Sequence, residues 1–240
     1  MTFQIKYSSK FNYFYIAQQV RRNRLMIDSL SMAFVRHILI DENKIKIENL
    51  ERIYTVGCSS DFYMKGSIDG DDVFIKVNTS RVQTDTKNSA AMQNEYEKSV
   101  LMSELCTYVL KPLYYIKCVP CEILITPYIH NIRPLDDLIS SEEPMPSWVV
   151  DQLNDLIDLL KRNRLVHRDI NGGNISVGNL SNGAPQIFLN DLAYMTYLDD
   201  DGNPIPTNVE NKVDFSEDGP NFDCLLNRIR EKMEHDKKGK

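Results

Sequence analysis

The sequence lacks any run of about 20 apolar residues, the length a bilayer-spanning helix needs. Its most apolar stretches, 25–40 and 109–116, are broken by charged or polar residues. It also lacks a secretory leader: the opening MTFQIKYSSKFNYF has no apolar core and no small-residue cleavage site. No membrane partner is expected, and the expected compartment is the cytoplasm, short of export by routes that read other features. A basic excess is missing too. Lys and Arg total 28 against 34 Asp and Glu, for a formal charge of −6, which argues against a nucleic-acid partner. The one local exception, Lys237-Lys238-Gly239-Lys240, reads as a solvated tail. The five cysteines are odd in number, reduced thiols are the expectation, and no two further ligands stand at the spacing a metal site would need. Only Cys118-Val119-Pro120-Cys121 has motif-like spacing, and without a second pair it reads as two residues around a β-turn.

What remains is an ordinary globular composition, 42% hydrophobic and 26% charged over 240 residues, enough for one good-sized domain or two small lobes. Apolar residues through 1–50 recur at roughly helical spacing and predict one or two helices in an N-terminal extension. Short strands are predicted at 53–56, 62–64 and 73–77, with Asp69-Gly70 as a hairpin turn. Residues 88–105 change to helical period, with Ala91, Tyr96, Val100, Leu101 and Leu105 as the apolar stripe. Two more strands are predicted near 109–116 and 122–125. The proline-punctuated stretch 127–146 reads as a connection, after which Ser147 is a candidate cap for an amphipathic helix with Val150, Leu153, Leu156, Ile157 and Leu160 on its buried face. Short strands at 175–177 and 187–189 form a hairpin around the loop 178–185. The stretch 199–221, rich in Asp, Gly, Pro and Asn, reads as a mobile loop before a last helix near Phe222.

The strongest chemical signal is Val166-His167-Arg168-Asp169-Ile170-Asn171-Gly172-Gly173-Asn174-Ile175. It matches the catalytic-loop signature of protein kinases, His-Arg-Asp with Asn five positions beyond the Asp. At residue frequencies of roughly 5%, those four identities arise by chance in about one of several hundred chains this long. The resemblance implies a bilobal α+β fold, with a five-stranded antiparallel N-lobe sheet at 51–128 and a short, mostly helical C-lobe at 129–240. It also implies ATP and Mg2+, or Mn2+ in its place, as cofactors. Phosphoryl transfer is mostly alignment plus charge neutralisation. By resemblance, Asp169 takes the proton of the acceptor hydroxyl, Asn174 binds metal through its amide oxygen, and Asp191 in Asp191-Leu192-Ala193 binds metal where kinases have Asp-Phe-Gly. Ala193 is less free than glycine to change backbone conformation. Lys76, ending Val73-Phe74-Ile75-Lys76, resembles the phosphate-binding lysine, with Glu97 as its helix partner and Glu95 as the competing candidate. Gly57-Cys58-Ser59-Ser60-Asp61-Phe62 stands where a glycine-rich loop is expected. Gly57 and small residues such as Ser59 would cradle phosphate there, although Asp61 brings a negative charge close to it. Thr126-Pro127-Tyr128-Ile129 stands at the hinge, where backbone groups would meet adenine.

Residues 50–230 carry the resemblance. Asp223 resembles the aspartate that orients the backbone at His167 and Arg168, though a plain helix N-cap is an equal reading. The compact form is similar to the small secreted bacterial effector kinases of the OspG and NleH kind, and also to the fungal-type protein kinases. It implies a Ser/Thr protein kinase acting on a protein substrate, with recognition or activation through a protein partner such as a ubiquitin-conjugating enzyme or ubiquitin. An effector of this kind would work in the cytoplasm of a host cell. The rival readings are a small-molecule phosphotransferase, which usually carries His-Gly-Asp, and a pseudokinase scaffold.

Overall fold

The computed structural model describes residues 4–7, 33, 35–53, 62–78, 91–118, 121–181, 183–206 and 218–238. The chain is α+β and divides into two compact units, one of residues 1–93 and 111–128, the other of residues 94–110 and 129–240.

The first unit is built on β1 (Gln4–Tyr7), β2 (Ile47–Ile53), β3 (Phe62–Ile68), β4 (Asp71–Asn78), β5 (Tyr114–Cys118) and β6 (Cys121–Pro127). The sheet order is β1-β5-β6-β4-β3-β2. The five strands β2 to β6 pair antiparallel, and β1 adds a sixth, parallel to β5. The β3–β4 hairpin turns on Asp69 and Gly70, both at positive φ (53° and 92°), the geometry that Asp-Gly adopts at little cost. Cys118 and Cys121 are partners in the β5–β6 backbone register, and residues 119–120, read from the sequence as part of a β-turn, lie outside the described residues.

The first strand was expected at 53–56; β2 (Ile47–Ile53) begins earlier, and residues 54–56 lie outside the described residues. A π-helical turn at His37–Glu42 precedes it. Val35, Ile38, Leu39, Ile45, Ile47 and Leu50 join the core of this sheet, so residues 35–50 are part of the first unit rather than a separate extension. The helices expected across the rest of residues 1–50 lie outside the described residues, apart from β1.

In the second unit, α1 (Ala91–Leu105, mostly in this unit) is followed by β7 (His130–Pro134), α2 (Leu135–Ser140), α3 (Trp148–Arg162), β8 (Leu165–Val166), β9 (Ile175–Asn179), β10 (Gln186–Leu189), β11 (Thr196–Tyr197) and α4 (Gly219–Lys238). Helix α3 turns Val149, Leu153, Leu156 and Leu160 inward at the 3.6-residue period. Four such side chains contribute roughly 6–12 kcal/mol of gross burial. Val150 and Ile157 only flank that face, and Ser147 stands at the N-cap without a side-chain capping bond. The helix stops at Asn163, whose N–H bonds Leu159 O, and Arg164 then takes a left-handed φ of 54°. Phe222, Leu225, Leu226 and Ile229 place α4 on the same core. Strands β10-β9-β7 form one small antiparallel sheet and β11-β8 another. Residues 199–206, expected as mobile loop, form a turn bridged by Leu198 and Pro204 and pinned by Arg164, which pairs with Asp200 at 2.6 Å and donates to Asp199 O. The rest of that expected loop, 207–217, lies outside the described residues. No helix among the described residues is long and apolar enough to cross a membrane.

Glu122 on β6 is fully buried. Its Oε1 accepts from the Tyr115 hydroxyl at 2.6 Å and lies 3.7 Å from Lys117 Nζ, while Oε2 has no hydrogen-bond partner among the described residues. Burial pushes this carboxyl above the ordinary range, offset in part by the hydroxyl and the ammonium. The folded state therefore holds the proton more tightly than the unfolded chain. Stability is fullest below the ordinary carboxyl range and falls as pH rises through the raised value. Glu122→Gln removes that ionisation. Its melting temperature is expected to exceed wild type at about pH 8 and to match it at about pH 4. A pH-independent difference in thermal melts would refute this account.

Candidate functional site

The loop between β8 and β9 is shaped by two aspartates and two asparagines. Arg168 has a φ of 66°, in the left-handed region that a long side chain enters only under constraint. The constraint is Asp218. Its carboxylate accepts the backbone N–H of Arg168 at 2.8 Å and that of His167 through its other oxygen. Burial is the main influence on Asp218 and raises its affinity for protons, with the two N–H donors and His167 pulling the other way. Asp218 immediately precedes α4, and its own carbonyl accepts Phe222 N–H. The aspartate that opens the last helix thus does orient this loop, but it is Asp218. Asp223, proposed for that role from the sequence, lies on the exposed side of α4.

Asp169 is held by amides. Asn174 Nδ2 donates to its Oδ2 at 2.9 Å and to its carbonyl at 2.8 Å. Asn171 Nδ2 donates to its Oδ1 at 3.1 Å, while Asn171 Oδ1 accepts the N–H groups of Gly173 and Asn174. The loop closes into a turn whose side chains aim the Asp169 carboxylate. The Asn174 amide group is committed to Asp169, leaving its oxygen as the side chain's acceptor.

The residue before Asp191 ties the two halves of the site together. Asn190 N–H donates to Asn174 O at 2.8 Å, its carbonyl accepts from His167 Nε2 at 3.0 Å, and its amide donates to Ser176 Oγ at 2.9 Å. The fully buried His167 is therefore a brace between the loop and the β10 exit. Asp191 follows in the left-handed region (φ 56°, ψ 57°) and starts the 3-10 turn Leu192–Tyr194. Asp169, Asn174 and Asp191 thus belong to one hydrogen-bonded assembly within the second unit.

The other expected residues are placed as follows. On β4, Val73, Ile75 and Val77 face the core, and Lys76 lies half-buried on the opposite face, across from Leu124. Thr126, across from Phe74, shares that face. The Tyr128 N–H is committed to Asp72 O at 3.0 Å, so it is not a donor for an adenine ring, and Lys65 Nζ sits 4.5 Å from the Tyr128 ring centroid. Gly57 and Ser59, with the rest of the expected phosphate loop, lie outside the described residues. Helix α1 is rotated from the expected phase: Met92, Glu95, Tyr96, Ser99 and Met102 are buried, while Val100 and Leu101 are half-buried and Leu105 is exposed. Glu97 is consequently exposed, and the carboxylate withdrawn from solvent is Glu95.

Asn174 and Asp191 offer an amide oxygen and a carboxylate, the hard donors that magnesium takes while drawing the rest of its shell from phosphates and water. Among the described residues, no cluster of three His, Cys, Asp or Glu could hold a metal ion.

No family model matches this sequence, and no curated protein is significantly similar to it.

Sequence reasoning missed Asp218, Asn94 and Asn190. Asp218-Gly219-Pro220 carried a usable signal, an acidic cap followed by a first-turn proline with no N–H to lose. Asp218→Ala leaves the buried His167 N–H and the part-buried Arg168 N–H without this acceptor, at about 1–3 kcal/mol for a buried group. A loss of that order is expected in urea unfolding, with a smaller loss for Asp218→Asn. An unchanged midpoint for Asp218→Ala would contradict the bonding described.

Proposed function

We propose that the chain is a compact phosphotransferase of the protein-kinase class, transferring the γ-phosphoryl group of ATP to a serine or threonine hydroxyl of a protein. The observation that supports this most is the assembly of Asp169, Asn174 and Asp191 through the backbone of Asn190. On this reading the bilobal kinase fold is the finer description of the α+β chain. The antiparallel sheet of the first unit is its N-lobe, and the second unit is its C-lobe.

In the proposed reaction, Asp169 accepts a hydrogen bond from the acceptor hydroxyl and receives its proton. The hydroxyl oxygen bonds to the γ-phosphorus, the bond from that phosphorus to the β,γ-bridging oxygen breaks, and ADP leaves with that electron pair. The amides of Asn171 and Asn174 keep the carboxylate aimed, so little reorganisation remains at the moment of transfer. Asn174 and Asp191 would hold magnesium, which would supply charge neutralisation at the phosphates. Lys76 would meet phosphate oxygens, Gly57 and Ser59 would line the phosphate loop, and Thr126 and Tyr128 would border the base.

The test is transfer from labelled ATP to a generic protein or to the chain itself. Wild type is expected to be active. Asp169→Asn and Asp191→Asn are each expected to lose about 100-fold or more. Transfer that persists in Asp169→Asn would remove its assigned role. Nucleotide binding without transfer would favour a small-molecule acceptor or a missing activating partner, and no nucleotide binding at all would favour a scaffold.

A further inference from the structure

The turn after Asp191 has an unexpected anchor on α1. Asn94 Nδ2 donates to Ala193 O at 2.7 Å and to Met195 O at 3.2 Å. Two carbonyls thus converge on one half-buried amide, and only a side chain carrying two N–H groups satisfies both. The turn between them is closed by Met195 N–H on Leu192 O, and Leu192, Ala193 and Met195 are all buried. One helical turn beyond Asn94, Lys98 places its Nζ 4.3 Å from the Tyr197 ring centroid. On the other side, β11 pairs with β8 through Thr196–Val166 and Tyr197–Leu165. The segment is gripped from α1, from β8 and, through Asn190, from the loop. Asp191 itself sits in the left-handed region, which residues other than glycine populate sparsely.

We propose that Asn94 is a positioning residue for Asp191. It latches the Leu192–Met195 turn to α1, so that the Asp191 carboxylate is fixed by hydrogen bonding where Ala193 offers no glycine-like freedom. The metal-holding part of this role rests on the phosphotransferase reading, whereas the latch itself does not. It follows that α1 and the Asp191 segment move together, and that a displacement of the helix reaches the carboxylate through one side chain.

Asn94→Asp keeps the size of the side chain and replaces both donors with an acceptor, and Asn94→Ala removes them without adding charge. In hydrogen–deuterium exchange on the full chain, both variants are expected to exchange about tenfold faster at residues 191–198, with α3 unchanged. In the same samples with ADP, the Mn2+ concentration giving half-maximal thermal stabilisation is expected to rise about fivefold or more in the variants. Unchanged exchange in both variants overturns the latch. Faster exchange with an unmoved Mn2+ midpoint, in a protein whose wild type responds to Mn2+ and ADP, overturns the positioning role. Faster exchange in a protein whose wild type does not respond to Mn2+ and ADP upholds the latch and removes the phosphotransferase reading.

Discussion

One buried carboxylate accepting two consecutive backbone N–H groups holds the shape of the loop between β8 and β9. Asp218 binds His167 and Arg168 from the start of α4, and Arg168 keeps its left-handed backbone because of it. A charge so placed is costly to bury, but the N-terminus of a helix is where negative charge is most favourable. The apolar face of α4, from Phe222 to Ile229, anchors that N-terminus in the core of the second unit. Packing energy distant from the loop therefore sets the conformation of the residues just before Asp169. Local strain of about 1–3 kcal/mol per left-handed residue is sustained by burial elsewhere.

The side chains that finish the arrangement are mostly neutral amides. Asn94, Asn171, Asn174 and Asn190 each donate to a carbonyl, a hydroxyl or a carboxylate of the same unit. An amide orients a carboxylate without neutralising it, which a lysine or arginine would do. The Asp169 carboxylate is thereby aimed by hydrogen bonds from two neutral amides. Among the described residues of the second unit, Arg228 pairs with Asp136 at 2.7 Å in the open, and Lys232 with Asp236 at 2.6 Å with both side chains largely withdrawn from solvent.

Much of the sheet was legible in the sequence because its signals are local. Alternation in β4 and the Asp69-Gly70 turn depend on adjacent residues only, and the amphipathic period of α3 is strong enough to fix its phase. The phase of helix α1 was misread because its buried face includes Glu95 and Ser99, which apolar spacing does not mark. The start of β2 was placed late because Glu48, Asn49 and Glu51 interrupt its apolar pattern, with a register irregularity between Glu48 and Glu51. The loop residues Asp169, Asn174 and Asp191 were legible as a motif. Their supports were not, because Asn94, Asn190 and Asp218 act across 14 to 101 positions of chain, where no spacing rule reaches.

Gly172, in the middle of the loop, has the Asp136 side chain, its Oδ1 foremost, lying where a Cβ would be. The same Asp136 oxygen accepts from Arg228 on α4. A larger residue at 172 is compatible with this packing only if Asp136 turns away or is replaced by something shorter, and either change releases Arg228. The three positions are therefore epistatic. Among diverging copies of this gene, a side chain gained at 172 should travel with altered residues at 136 and 228, so a loop change would be recorded in two helices far from it in sequence.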